Sequence, residues 1–191
     1  LALALQASLR GSVCLYQGEE LGLPEADVPF EDLQDPYGIT MWPQYKGRDG
    51  CRTPMPWSAE APDLGFGSGA ARPWLPLSEA QRALAVDRQE ADPGSMLQAA
   101  RRLLHWRRTQ PALVHGELML LPVHEQVLAF VREHQGERVL CAFNLSAQPA
   151  ELALPAGLAL AQQLDSGIGG AQPVGATLQF APWGVLHARL A

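Results

Sequence analysis

The sequence predicts an α/β segment followed by an all-β domain. Three observations carry this. A short apolar run at residues 13–16, VCLY, stops abruptly in polar QGEE at 17–20, the pattern of a fully buried strand of a parallel sheet at its C-terminal edge. Apolar residues recur at helical spacing over 78–87 and 95–109. From about Gly116 the hydrophobic period drops to two, and short candidate strands succeed one another to the end.

In chain order, residues 1–10 read as the end of an apolar helix that Gly11 stops. The strand at 13–16 follows. Residues 22–76 are irregular and rich in proline and glycine. A disordered linker is poor in aromatic residues, whereas Phe30, Tyr37, Trp42, Tyr45, Trp57, Phe66 and Trp74 punctuate this one. The stretch is therefore expected to be an ordered loop packed by its own side chains. Its GFGSGA, at 65–70, lacks the Lys-Ser/Thr that grips a phosphate and reads as a turn. Ser78 and Ser95 are placed to cap the two helices, residues 87–94 to separate them, and Pro111 to stop the second. Arg101, Arg102, Arg107 and Arg108 load the C-terminal half of that helix, where cations suit the dipole. Strands are expected at 117–121, 126–132, 137–143, 150–153, 159–164, 177–180 and 184–190. HQGE at 134–137 and DSGIGG at 165–170 read as hairpin turns, and the whole as a small antiparallel sandwich.

Bulk properties narrow the function classes. Hydrophobic residues make up 47% and charged residues 18%, enough for a buried core. The net charge of −6 with interspersed signs offers no basic patch for nucleic acid. The apolar start is too short to span a membrane and lacks the basic start and cleavage site of a signal peptide. Three widely spaced cysteines (Cys14, Cys51, Cys141) make a poor disulfide framework and point to a reducing, cytoplasmic setting. The five histidines do not cluster with them, so no structural metal or cofactor is expected.

Two places hold candidate chemistry. Glu19 and Glu20 form the carboxylate pair a glycosidase needs, but neighbours at a strand end point in opposite directions. They read instead as caps for loop amides and partners for nearby arginines. In GRDGCRTPMPW, at 47–57, Arg48 and Arg52 flank Asp49 in a loop bounded by Gly and Pro. A guanidinium presents a planar fork of donors that suits vicinal sugar hydroxyls, and neighbouring aromatics suit a sugar face. Arg52 reads chiefly as loop support against Glu19 or Glu20, and Arg48 equally as loop support or as a sugar-binding group. The acids at 25–35 (Glu25, Asp27, Glu31, Asp32, Asp35) read as solvated surface or a cleft mouth.

YQGEELGL (16–23), VPFEDLQDPYGITMWP (28–43) and KGRDGCRTPMPW (46–57) together resemble the α-glucosidase branch of glycoside hydrolase family 13. The resemblance implies that residues 1–112 are the end of a (β/α)8 TIM barrel, with VCLY as its last strand and QGEE facing the sugar. Residues 113–191 become the C-terminal β-sandwich. It implies hydrolysis of α-glucosidic bonds at the non-reducing end of short oligosaccharides, with retention. Aspartate is then the nucleophile, glutamate the acid and base, and a second aspartate the stabiliser. None of the three is identified here: no Asn-His-Asp string occurs, and all are expected upstream of Leu1. The chain alone is therefore expected to be inactive. One role carries over, substrate binding by Arg48, whose aspartate partner the resemblance also places upstream. A different class, a non-catalytic carbohydrate-binding or structural β-domain protein, would use the same loop aromatics without chemistry.

Overall fold

Turn chemistry and hydrophobic period account for most of the observed elements. The structure is a computed structural model describing residues 1–191. It contains helices α1 (Ala2–Ser8), α2 (Pro36–Thr40), α3 (Val86–Ala91), α4 (Met96–Arg108) and α5 (Pro111–His115). Eight strands follow: β1 (Glu117–Leu120), β2 (Val127–His134), β3 (Glu137–Asn144), β4 (Ala150–Ala153), β5 (Leu160–Leu164), β6 (Ala171–Val174), β7 (Thr177–Phe180) and β8 (Val185–Leu190). The chain divides into two compact units, Leu1–Cys14 with Ala99–Ala191, and Leu15–Gln98.

In the first unit, β1-β2-β3-β8-β5 form one antiparallel sheet and β4-β7-β6 a second. Gln135 and Gly136, both at positive φ, make the two-residue turn between β2 and β3, the mirror-image turn that matches strand twist. Side chains from both sheets share one core, with Val127, Ala129, Leu140 and Leu186 from the larger sheet meeting Leu152, Leu178 and Phe180 from the smaller. This is the sandwich.

The larger sheet is buried on its other face too. Phe130, Cys141, Phe143 and His187 are all at or below 1% exposure, and His187 packs on Trp106 of α4 at 4.7 Å between ring centroids. Burial on both faces makes β2 and β3 nearly continuous apolar runs. Helix α1 docks there through its C-terminal carbonyls. Arg132 of β2, wholly buried, donates to the carbonyls of Ser8 (2.7 Å), Gly116 (2.8 Å) and Glu117 (3.3 Å). Arg107 donates from Nε to the Ala7 carbonyl at 2.7 Å. Both cations sit where the helix dipole is negative.

The second unit has no sheet. Its long loop is ordered by five-residue α2, by 3-10 turns at Glu19–Leu21, Phe30–Asp32, Asp49–Cys51 and Pro62–Gly65, and by side chains. Val28, Leu33 and Leu75 pack together with Trp42. A further 3-10 turn at Glu79–Leu84 precedes α3. Buried Gln89 donates to the Leu21 and Leu84 carbonyls, and its Oε1 accepts from the Leu97 amide.

Several local expectations need correction. Residues 12–16 belong to no ladder, and Cys14 and Tyr16 are exposed. A parallel strand needs hydrogen-bonding neighbours, and for a barrel's last strand these are other barrel strands, which residues 1–191 do not include. DSGIGG is no hairpin: β5 and β6 lie in different sheets, and the hairpin turn is at 175–176 between β6 and β7. Strand β6 was not expected because Pro173 interrupts it; it is an edge strand, where proline is tolerated. Residues 87–94 are not a linker, since α3 occupies most of them. Ser95 Oγ accepts the Gln98 amide proton as an N-cap should (3.2 Å), but Ser78 makes no cap bond. Pro111 ends nothing; it opens α5 at the first helical position, where its missing N–H is no loss.

Candidate functional site

The loop around Arg48 is built on two buried carboxylates that lie in the sequence among ordinary surface acids. Asp49 is fully buried in its 3-10 turn, and its Oδ2 accepts the backbone N–H groups of Gln34 (2.6 Å) and Asp35 (2.7 Å). That clamps residues 34–35 to residue 49. Asp35, 2% exposed, then turns its own carboxylate to three donors. Oδ1 accepts the Tyr37 amide as N-cap of α2 (3.1 Å). Oδ2 accepts the Arg48 amide (3.0 Å) and Arg48 Nε–H (3.1 Å).

The Asp35 side chain is inaccessible and that of Arg48 is 59% exposed. Burial alone would raise the Asp35 pKa, but the Arg48 side chain and the Tyr37 and Arg48 amides outweigh it and hold it below the usual value. The hydrogen bond to Asp35 correspondingly raises Arg48. Close approach sets the backbone. Gly47 has φ +76°, and a Cβ there would come within 3.0 Å of Asp35 Cβ and of the Gly38 backbone. At Gly50 a Cβ would overlap the Ala26 carbonyl oxygen and lie 2.5 Å from Glu25 Cγ.

Arg52 does not brace Glu19 or Glu20. Its Nη1 lies 3.7 Å from Asp49 Oδ1 and 3.9 Å from Asp35 Oδ2, and Asp49 Oδ1 has no hydrogen-bond partner. The two glutamates occupy a 3-10 turn, not a strand end. Glu19 accepts the Tyr16 amide (3.1 Å) and Glu20 the Gly18 amide (2.8 Å), and no arginine reaches either. QGEE and the arginine loop do share a hollow of about 260 Å3. Tyr16, Gln17 and Glu19 line one side of it, and Gly50, Cys51 and Thr53 another. A second hollow of about 380 Å3 runs between Glu25, Asp27, Tyr45 and Lys46, again with Gly50 in its wall. Lys46 there pairs with Asp27 and lies over the Trp42 ring at 5.4 Å.

No group of three or more His, Cys, Asp or Glu is placed to hold a metal ion, the three cysteines are free, and no helix is long and apolar enough to cross a membrane. Residues 1–116 match the model of the α-amylase catalytic domain. The chain belongs to the α-amylase family. Residues 118–184, most of the β-sandwich, match the maltogenic amylase C-terminal domain. Over 152 residues the chain is 52% identical to a probable α-glucosidase of Rhizobium meliloti (strain 1021), covering 80% of this chain and 27% of that protein. It is 30% identical over 162 residues to probable oligo-1,6-glucosidase 3 of Bacillus subtilis (strain 168), covering 74% and 28%. The crystal structure of the α-glucosyl transfer enzyme XgtA superposes with a TM-score of 0.92 at 55% identity, over all of this chain and 35% of that one. Trehalulose synthase MutB from Pseudomonas mesoacidophila MX-45 shares the fold, with a TM-score of 0.85 at 24% identity over the whole chain and 37% of MutB. The amylase-family chain described here thus spans about a third of the length of these relatives.

Asp35, read from the sequence as a solvated or cleft-mouth acid, is instead buried at the centre of this loop. Its one local signal was DP at 35–36, an N-cap followed by proline at the first helical position.

Proposed function

We propose that this chain is the C-terminal part of a retaining α-glucosidase, and that it supplies one arm of the glucose-binding pocket. The observation that carries this is Arg48. Its Nε is anchored on a buried carboxylate, its side chain is more than half exposed, and its terminal nitrogens have no partner in the chain. A guanidinium held in that way offers parallel N–H donors to two hydroxyls of one sugar. The RDxxRTPMPW string containing it shares a hollow with QGEE. The similarity to a probable α-glucosidase at 52% identity and to an α-glucosyl transfer enzyme at 55% supports α-glucosyl chemistry. The setting is cytoplasmic in this reading, and the partner is a short oligosaccharide.

Arg48 contributes binding, not bond cleavage. The nucleophile, the acid and base, and the stabilising aspartate come from residues outside 1–191. Glu19 and Glu20 are committed to loop amides two and three residues before them and serve as scaffold. The test is Arg48→Ala in the complete gene product, with glucose release from maltose and isomaltose as readout. Loss of two charge-assisted hydrogen bonds to the sugar predicts a fall in kcat/KM on the order of 100-fold or more, with the fold retained at a lowered thermal midpoint because buried Asp35 loses its Nε–H partner. Turnover equal to wild type sinks the assignment.

A further inference from the structure

We propose that Asp35 is a positioning residue for this site: it fixes the plane of the Arg48 guanidinium, so that the terminal nitrogens meet the sugar already oriented. The inference rests on the reading of Arg48 as a substrate-gripping group, and adds to it the residue through which that group is held.

Arginine is long, and an untethered exposed guanidinium samples many rotamers that binding must then restrict. Here both ends of the residue are fixed by one oxygen. Asp35 Oδ2 accepts the Arg48 backbone N–H and its Nε–H, at 3.0 and 3.1 Å. The chain from backbone to guanidinium is thereby closed into a ring whose far corner is a carboxylate with no solvent access. Nε is the nitrogen on the inner edge of the fork, so anchoring it sets the plane and leaves the outer donors unspent. Lysine cannot reproduce this, since its freely rotating ammonium has no planar fork whose inner N–H fixes the direction of the outer ones.

The carboxylate is itself immobile. Oδ1 is committed to the first turn of α2 through Tyr37, and the Asp35 amide is committed to Asp49. Asp49 holds residue 34 as well, and stands next to Arg48 in sequence. Gly47 and Gly38 press on the same backbone from the side. The position of Arg48 is therefore set by contacts between segments 34–38 and 47–49, none of which touches the outer face of the guanidinium. Arg52 Nη1 lies 3.9 Å from the same Asp35 Oδ2.

The experiment is a double-mutant cycle in the complete gene product with Asp35→Asn, Arg48→Ala and the pair, reading kcat and KM on maltose and the inhibition constant of glucose. The expected result is a fall in kcat/KM on the order of 100-fold in Asp35→Asn. It is expressed mainly as a higher KM and weaker glucose inhibition, with little further loss when Asp35→Asn is added to Arg48→Ala. Asp35→Glu, which keeps the charge but displaces the carboxylate from Arg48 Nε, behaves like Asp35→Asn and gives the answer should that variant not fold. Wild-type kinetics in Asp35→Asn or Asp35→Glu, with Arg48→Ala defective, overturns the positioning role and leaves the function standing. Additive losses in the double variant also overturn it, because Asp35 then acts through the fold. Wild-type kinetics in Arg48→Ala removes the proposed function, and the inference with it.

Discussion

Acidifying the protein from pH 7 to pH 5 should destabilise it through one buried imidazole. His187 of β8 is 1% exposed, between Phe143 and Trp106. Its Nε2 lies 2.8 Å from Ser8 Oγ and its Nδ1 3.1 Å from Ser166 Oγ. Two hydroxyls complete a neutral ring, since one can accept from its N–H while the other donates to its bare nitrogen. Ser8 can turn its proton to the ring because the Ala4 carbonyl it otherwise contacts lies inside α1. No carboxylate stabilises a charged ring there, and burial lowers the pKa from about 6.5 to about 4.

The sign follows from proton uptake. Between pH 6.5 and 4 the unfolded chain binds a proton at His187 and the folded chain does not, so stability falls as pH falls through that window. At about 1.4 kcal/mol per pKa unit the full loss is about 3 kcal/mol, of which about 2 kcal/mol is already lost at pH 5. Carboxylates do not confuse this window. Ser58 holds the pKa of Asp87 low, Arg82 that of Glu79, and Arg48 with backbone amides that of Asp35 against burial. What those groups contribute is lost only as pH falls through their lowered values, in stronger acid. The assay is urea unfolding at pH 7 and pH 5 for wild type and His187→Gln, with the imidazole titration followed by NMR. The variant should be less stable at pH 7 and nearly flat to pH 5. A folded-state titration of His187 near 6.5, or equal pH dependence in both proteins, refutes the reasoning.

Two further perturbations probe the scaffold. Arg132→Lys should lower stability by roughly 2 kcal/mol in urea titrations at unchanged m-value. A single ammonium cannot serve the Ser8, Gly116 and Glu117 carbonyls together, and leaving buried acceptors unpaired carries about that cost. Gly50→Ala should disturb the site more than the fold, because its Cβ would push against the Ala26 carbonyl and Glu25 in the wall of both hollows. Activity of the complete gene product on maltose should fall at least about tenfold, and wild-type kcat/KM would show that the loop yields freely. With the two Arg48-centred tests above, these cover binding, positioning and support separately.

Sequence alone determined whatever depends on neighbours a few residues apart. The β-sandwich was legible because short strands rich in apolar residues, some alternating and some continuous, succeed one another between short turns. Ser95 was legible as a cap because it bonds three residues along, and the motif at 47–57 because its spacing is local. Tertiary structure decided what depends on distant partners. Residues 13–16 have a strand's composition, but a strand exists only where another segment hydrogen-bonds to it. Asp35 and Asp49 look like exposed Glu31 and half-buried Asp32, and only folding of 34–38 onto 47–50 takes them out of water and turns Asp35 on Arg48. Arg132 reads as an outward residue of an alternating strand until α1 and α5 bring their carbonyls to it. Burial and long-range hydrogen bonds are properties of the assembled chain, so the arginine motif was legible in the sequence and the buried carboxylate that Arg48 pairs with was not.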